Sequence, residues 1–303
     1  MATVRILDDR ERELVFHRPP DRIVSLVPSD TWSLFDLGAG GRVVGRTRYC
    51  FAPEGSVQQI PIVGGTKDPD ADAIAALRPD LVIVNQEENT PRVVKALAER
   101  QIPVLICFPR TVGEGIAHVA RLVKILGLTR DPHAREVLAR CYAAQRDAEA
   151  LLVQDAAAGR APLPVFVPIW MEPLMTISGE TVISDALRLA GAHNVFEGRR
   201  RRYPLAADQG RAPALQGDQV GERDTRYPRV TLAEVVVCQP EAVLLPDEPH
   251  PFSEADAAVF RGQDTPAGKS GKVRFCGGRD LSWYGTQSSG GLGRLRALVD
   301  SLR

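Results

Sequence analysis

The chain has 303 residues, 44% hydrophobic and 25% charged, with 38 Lys plus Arg against 38 Asp plus Glu. That length exceeds most single hydrophobic cores, so two lobes are expected, and a formal net charge of zero gives no global attraction to nucleic acid or a membrane surface. The five cysteines (Cys50, Cys107, Cys141, Cys238, Cys276) are odd in number and form no CxxC pair, which suggests neither a disulfide framework nor a zinc ribbon.

The opening stretch MATVRILDDRERELVFHRPPDR has no basic start followed by an apolar run, and no later stretch has the length of a spanning helix. As written, the chain reads as cytoplasmic, or as periplasmic if a leader has been removed. Strand signals follow at 22–27 (RIVSLV), 81–85 (LVIVN) and 103–108 (PVLICF), alternating with helical patterns near 30–37, 70–77, 91–100 and 112–126. Such alternation predicts βαβ units around a mostly parallel sheet. From Pro132 to about Ala158 no glycine or further proline occurs, and Val137, Leu138, Cys141, Ala144, Ala148, Leu151 and Leu152 recur at three- and four-residue steps. This spacing predicts one long amphipathic helix, roughly 40 Å at about 1.5 Å per residue, ended by Gly159.

A second α/β set begins at VFVPIW (165–170) and continues through a helix around 180–190, VLL at 243–245, a helix from Ser253, KVRFC (272–276) and a last helix near 290–302. It echoes the first. ADAIAALRPDLVIVN (71–85) aligns without gaps on LAEVVVCQPEAVLLP (232–246), with Pro79 on Pro240, an offset of 161 (240 − 79). The expected organisation is therefore α/β, two Rossmann-like lobes with mostly parallel sheets: residues 1–128, a connecting helix over 129–160, and residues 161–303, with a ligand cleft between the lobes. Within the second lobe, 197–228 is rich in Arg, Gly, Pro, Asp and Gln without periodicity and reads as a long surface loop.

Enzyme signatures fail on spacing. GQDTPAGKS (262–270) has five residues, not four, between Gly262 and Gly268, and GAGGRVVG (38–45) carries Val43 where a glycine is required and follows a helix. No GxSxG elbow, HExxH or catalytic Cys/His pattern occurs, so a non-catalytic protein is expected.

RIVSLVPSDTWSLFDLGAGGRVVGRTRY, VGGTKDPDADAIAALRPDLVIV, the long helix, ISGETVISDALRLAGAHNVF and YPRVTLAEVVVCQPEAVLL together resemble the helical-backbone metal-receptor superfamily. These are solute-binding proteins of ABC importers for cobalamin, haem and iron–siderophore complexes, and the cobalamin-binding branch is the most similar. The resemblance spans roughly residues 20 to 300. It implies a monomeric, non-catalytic binding protein for a metal chelate, foremost cobalamin or a related corrinoid, held as ligand and not as a covalent cofactor. Haem or an iron–siderophore complex, and a cytoplasmic sensor or adaptor using the same cleft, are the alternatives.

By position, the resemblance implies that Tyr49, Trp170 and Tyr227 line the cleft, because aromatic faces bury large area against a flat chelate at low entropic cost. It further places Asp72 at the first-lobe position that docks on an ABC permease. Ala233 stands at the second-lobe position, with Glu234 one residue late, and Thr31-Trp32 replaces the family's usual Thr-Glu pair. These departures weigh towards a cytoplasmic relative that binds, buffers or senses its ligand, with the permease kept as an alternative partner.

The internal alignment sets Asn85 against Pro246, so NQEEN (85–89) and PDEPH (246–250) occupy equivalent strand ends. In open α/β sheets that edge carries ligands. Glu87, Glu88, Asp247, Glu248 and His250 would then form an acidic mouth that meets a corrinoid periphery, binds a divalent metal or pairs with the Arg199-Arg200-Arg201-Arg202 run. Solvated carboxylates beside the helix starts at Thr90 and Ser253 are the plain alternative. A dedicated metal site is not expected, since only His250 among five histidines is placed for one. The Arg199-Arg200-Arg201-Arg202 run reads as an anion clamp or a solvated loop tip, and Trp283 in DLSWYGTQSSGG as a further cleft wall or a cover for the sheet edge.

Overall fold

The computed structural model describes residues 3–303. An antiparallel hairpin, β1 (Val4–Leu7) and β2 (Glu13–Phe16), precedes β3 (Ile23–Ser25), α1 (Pro28–Asp36), β4 (Val43–Arg46), α2 (Ala71–Ala76), β5 (Leu81–Asn85), α3 (Pro91–Glu99), β6 (Val104–Cys107) and α4 (Val112–Ile125). The four inner strands form a parallel sheet in the order β4-β3-β5-β6. Both its faces are covered. Ile23, Leu81, Ile83 and Leu105 join one core cluster with α4 and with Ala134 and Val137, while Val24, Val82, Val84 and Ile106 join another with Val93 and Leu97. Burial on both sides explains why these strands read as unbroken apolar runs.

Helix starts follow the sequence chemistry. Pro28 and Pro91 stand in the first turns of α1 and α3, where a missing N–H removes no helical bond. The Asp70 carboxylate accepts from the N–H groups of Asp72 and Ala73, and Thr111 with Glu114 forms a reciprocal capping box on α4. Next comes α5 (Pro132–Ala157), a single helix of 26 residues.

After it lie β7 (Leu163–Phe166), β8 (Pro168–Met171), β9 (Leu174–Thr176), α6 (Val182–Leu189), β10 (Ala192–Asn194), α7 (Leu205–Asp208), α8 (Leu232–Cys238), β11 (Ala242–Pro246), α9 (Glu254–Arg261), α10 (Pro266–Ser270), β12 (Val273–Cys276), α11 (Gly278–Ser282) and α12 (Ser288–Ser301). The second parallel sheet runs β10-β7-β11-β12. In chain order both sheets are second-first-third-fourth, and β11 lies 161 residues after β5 at each end (242 − 81 and 246 − 85). The repeat seen in sequence is therefore a repeat of topology.

The chain divides into two compact units: residues 1–143 with 283–289, and 144–282 with 290–303. The first unit thus takes a segment from near the C-terminus, and α5 contributes to both. No helix among the described residues is long and apolar enough to cross a membrane.

One stretch differs from the sequence reading, and a second adds detail to it. VFVPIW is not one strand: β7 ends at Phe166, and Pro168, which has no N–H to continue the parallel ladder, begins β8, paired antiparallel with β9. The 197–228 stretch is mostly exposed and irregular, as the sequence reading expected, but it has internal order. It carries α7 and a 3₁₀ turn at Gly217–Gln219, and the buried Asp208 carboxylate gathers it by accepting from Arg202 N (2.9 Å), Arg229 N (2.8 Å) and Arg199 Nη1 (3.0 Å).

Candidate functional site

In the first unit the polar run after β5 is a built turn. Asn85 Oδ1 accepts from the N–H groups of Glu87 (2.7 Å) and Glu88 (3.3 Å), and Asn89 Oδ1 accepts from Asn85 N (2.8 Å). Asn89 Nδ2 also donates to Thr66 O at 2.8 Å, and Lys67 donates to the Glu87 carbonyl. The two asparagines are buried and fold the turn, leaving Glu87 and Glu88 half-buried on its outside. Tyr49 (51% exposed) and Phe51 (46%) lie on the loop after β4, and the Phe51 ring sits 6.3 Å from Trp283, which in turn meets Trp32 edge-on at 6.3 Å. Trp283 is only 7% exposed, so it backs Phe51 and Trp32 and does not present an open ring.

In the second unit the end of β11 is matched to the start of α11: Asp247 Oδ1 accepts from Gly278 N at 2.6 Å, and Ser282 Oγ lies 3.5 Å from Glu248 Oε1. Trp170, at 43% exposure, holds its ring by donating Nε1–H to Glu172 O (3.0 Å) and lies 5.2 Å from the His250 ring, which meets Phe252 at 4.6 Å. Tyr227 belongs to the segment laid along β9, since Pro228 O accepts from Thr176 N and Arg229 bridges Met175, the residue that β8 pairs with Trp170. The Arg226 guanidinium stands 5.5 Å from the Tyr227 ring centre.

The acidic residues expected to dock a permease have different surroundings. Asp72 is in the first turn of α2 and exposed, paired with Arg100 at 2.5 Å. Glu234 closes the capping box with Thr231 and accepts from Arg199 Nε at 3.1 Å, so its carboxylate is already held by its own unit. Arg199 is for the same reason a half-buried strut between Asp208 and Glu234, and not a solvated tip.

Sequence reading missed a buried polar cluster in the first unit. His118 Nε2 lies 2.8 Å from Asp30 Oδ1; Tyr284 Oη donates to Asp30 Oδ2 at 2.8 Å and lies 3.0 Å from Cys107 Sγ; Asn85 Nδ2 donates to Tyr284 Oη at 3.3 Å. Burial, with the Asp30 carboxylate adding to it, pushes both the Cys107 thiol and the Tyr284 phenol well up, so both keep their protons. The available signal was polar residues within apolar helical faces: Asp30 at the start of α1, His118 between Ile116 and Val119. Donor atoms of Asp30, Cys107 and His118, three residues outside the candidates the sequence offered, lie within 4.8 Å of one another. A groove of about 360 Å³ lined by Leu14, Phe16, Pro79 and Pro103 lies at the opposite edge of this sheet, before β5 and β6, and none of the candidate site residues lines it.

The model of the family described as periplasmic binding protein matches residues 23–214, more than half of the chain. The chain belongs to the periplasmic binding protein family. A vitamin B12-binding protein of Yersinia pestis is 27% identical over 184 residues, 61% of this chain and 63% of that protein, so the match spans less than two thirds of this curated relative. Among solved structures, the periplasmic vitamin B12 binding protein of Vibrio cholerae superposes with a TM-score of 0.71 at 16% identity, over 94% of this chain and 98% of that one. The apo periplasmic haem-binding protein of Roseiflexus sp. RS-1 gives 0.71 at 19% identity, over 93% and 99%. The periplasmic binding protein fold is thus established, and it overturns the cytoplasmic reading: the family and these solved relatives are periplasmic proteins.

Proposed function

We propose that the chain is the solute-binding protein of an ABC importer and captures a planar metal chelate, foremost a corrinoid. What supports this reading is a large exposed aromatic ring in each unit, Tyr49 in one and Trp170 in the other, together with carboxylates in the turn that follows a buried strand of the same unit, Glu87 and Glu88 after β5, Asp247 and Glu248 after β11. Tyr227 and the Trp283-backed Phe51 extend these surfaces. A chelate face is large, flat and weakly polar, so aromatic area supplies affinity while a few rim carboxylates fix orientation. At about 25 cal/mol per Å², covering one ring contributes on the order of a few kcal/mol. The vitamin B12 relatives support a corrinoid, and Asp72 is the proposed point of permease docking.

A specific observation favours haem as the second reading. The His250 ring lies between Trp170, tilted at 57°, and Phe252, edge-on at 76°, which sets an imidazole beside an exposed ring, and an imidazole nitrogen could ligate haem iron. Calorimetric titration of the purified chain with cyanocobalamin and with haem tests both. Saturable one-to-one corrinoid binding supports the first reading. Haem binding with a visible spectrum that changes in His250→Ala supports the second, and no saturable binding of either refutes both.

A further inference from the structure

We propose that Asp30, Cys107 and His118, with Tyr284 as fourth donor, form a structural site for a tetrahedral divalent cation of the zinc type inside the first unit. The proposal is independent of the solute that the protein carries. Four elements deliver the donors: the first turn of α1, the last residue of β6, the middle of α4 and the segment between α11 and α12. Their separations are already close to those of a coordination shell. Asp30 Oδ1 to His118 Nε2 is 2.8 Å, Asp30 Oδ2 to Cys107 Sγ 3.4 Å, and Tyr284 Oη to Cys107 Sγ 3.0 Å. The first two distances involve different oxygens of the Asp30 carboxylate; with one donor atom per residue, those of Asp30, Cys107 and His118 lie within 4.8 Å of one another, and side-chain adjustments would bring them to the tetrahedral edges of roughly 3.3 to 3.7 Å that zinc bonds of about 2.0 to 2.3 Å require.

Charge argues the same way. The Asp30 side chain is wholly buried, and among the described residues no Lys or Arg reaches it; its one ionisable partner able to carry positive charge is His118. A carboxylate in the core without a strong counter-charge is costly. A divalent ion that displaces the Cys107 thiol proton to solvent meets one carboxylate and one thiolate, which makes the site neutral overall. The donor set of imidazole nitrogen, thiolate sulfur and carboxylate oxygen selects a borderline ion and disfavours Mg²⁺ and Ca²⁺, which take oxygen ligands. By engaging Tyr284, the ion would also fasten residues 283–289 to the first unit, in which they are grouped.

The test is refolding of the full chain with Co²⁺ under reducing conditions, since a buried site loads during folding. The expected result is one tightly held Co²⁺ per chain, intense tetrahedral d–d bands and a thiolate-to-cobalt charge-transfer band. That band should disappear in Cys107→Ser, a nearly isosteric change, and persist in Cys238→Ser. Zinc should displace the cobalt and raise the thermal midpoint. Substoichiometric or readily dialysed cobalt in the folded wild-type chain overturns the proposal, and so does a charge-transfer band that survives Cys107→Ser.

Discussion

The Tyr284 phenol donates to Asp30 Oδ2 at 2.8 Å across 254 residues of sequence, and both groups are buried. That bond pins the segment 283–289 into the first unit. Tyr284→Phe keeps the ring but leaves the carboxylate one donor short and removes the acceptor of Asn85 Nδ2. The variant should lose about 1 to 3 kcal/mol in urea denaturation. A loss below a few tenths would show that the bond contributes little.

Gly115 tests the same contact sterically. A Cβ there would lie 2.7 Å from Tyr284 Cβ and 3.1 Å from the Gly285 nitrogen, whereas one on Gly41 meets nothing within 4 Å. Gly115→Ala should therefore destabilise by roughly 1 to 3 kcal/mol despite alanine's better helix propensity, and Gly41→Ala should be near neutral. Thermal melts of the two variants side by side separate packing from propensity.

Burial, and then the nearby Asp36 carboxylate, pushes the Cys141 thiol up from 9.0 to about 11. The folded chain holds that proton more tightly than the unfolded chain does, so the associated stability is complete below pH 9 and is lost as pH rises towards about 11. Cys141→Ala should accordingly cost less at pH 11 than at pH 8, by roughly 2 kcal/mol under reducing conditions. A cost independent of pH would show that the thiol titrates normally.

What was legible in the sequence was what depends on local pattern. The 161-residue repeat could be read because a proline and a doubly buried apolar strand recur in register, and α5 because no glycine or proline interrupts its periodicity. The Asp30 cluster was hidden because its members converge from 77, 88 and 254 residues away, and no spacing rule encodes such convergence. The polar run NQEEN was legible as a strand end, but not that the Asn85 and Asn89 amides would build its turn. Arg199 looked solvated because its partners, Asp208 and Glu234, come from a loop without periodicity and from a helix cap.

Asp72 is exposed in the first turn of α2, and its carboxylate is engaged only at the surface, by Arg100. Asp72→Ala should leave chelate affinity within about twofold and stability nearly unchanged, since an exposed ion pair contributes about 1 kcal/mol or less. Calorimetry and urea melts check this, and a tenfold affinity loss would place Asp72 at the ligand.

The most direct test of the chelate-binding account is calorimetric titration of cyanocobalamin into the wild-type chain, Tyr49→Ala, Trp170→Ala and Glu87→Ala. Saturable binding to the wild type is expected, with each aromatic truncation weakening it by roughly one to two decades and Glu87→Ala by less than one decade. Contradiction would come from Glu87→Ala being the most damaging of the three, or from cyanocobalamin and haem both failing to saturate the wild-type chain.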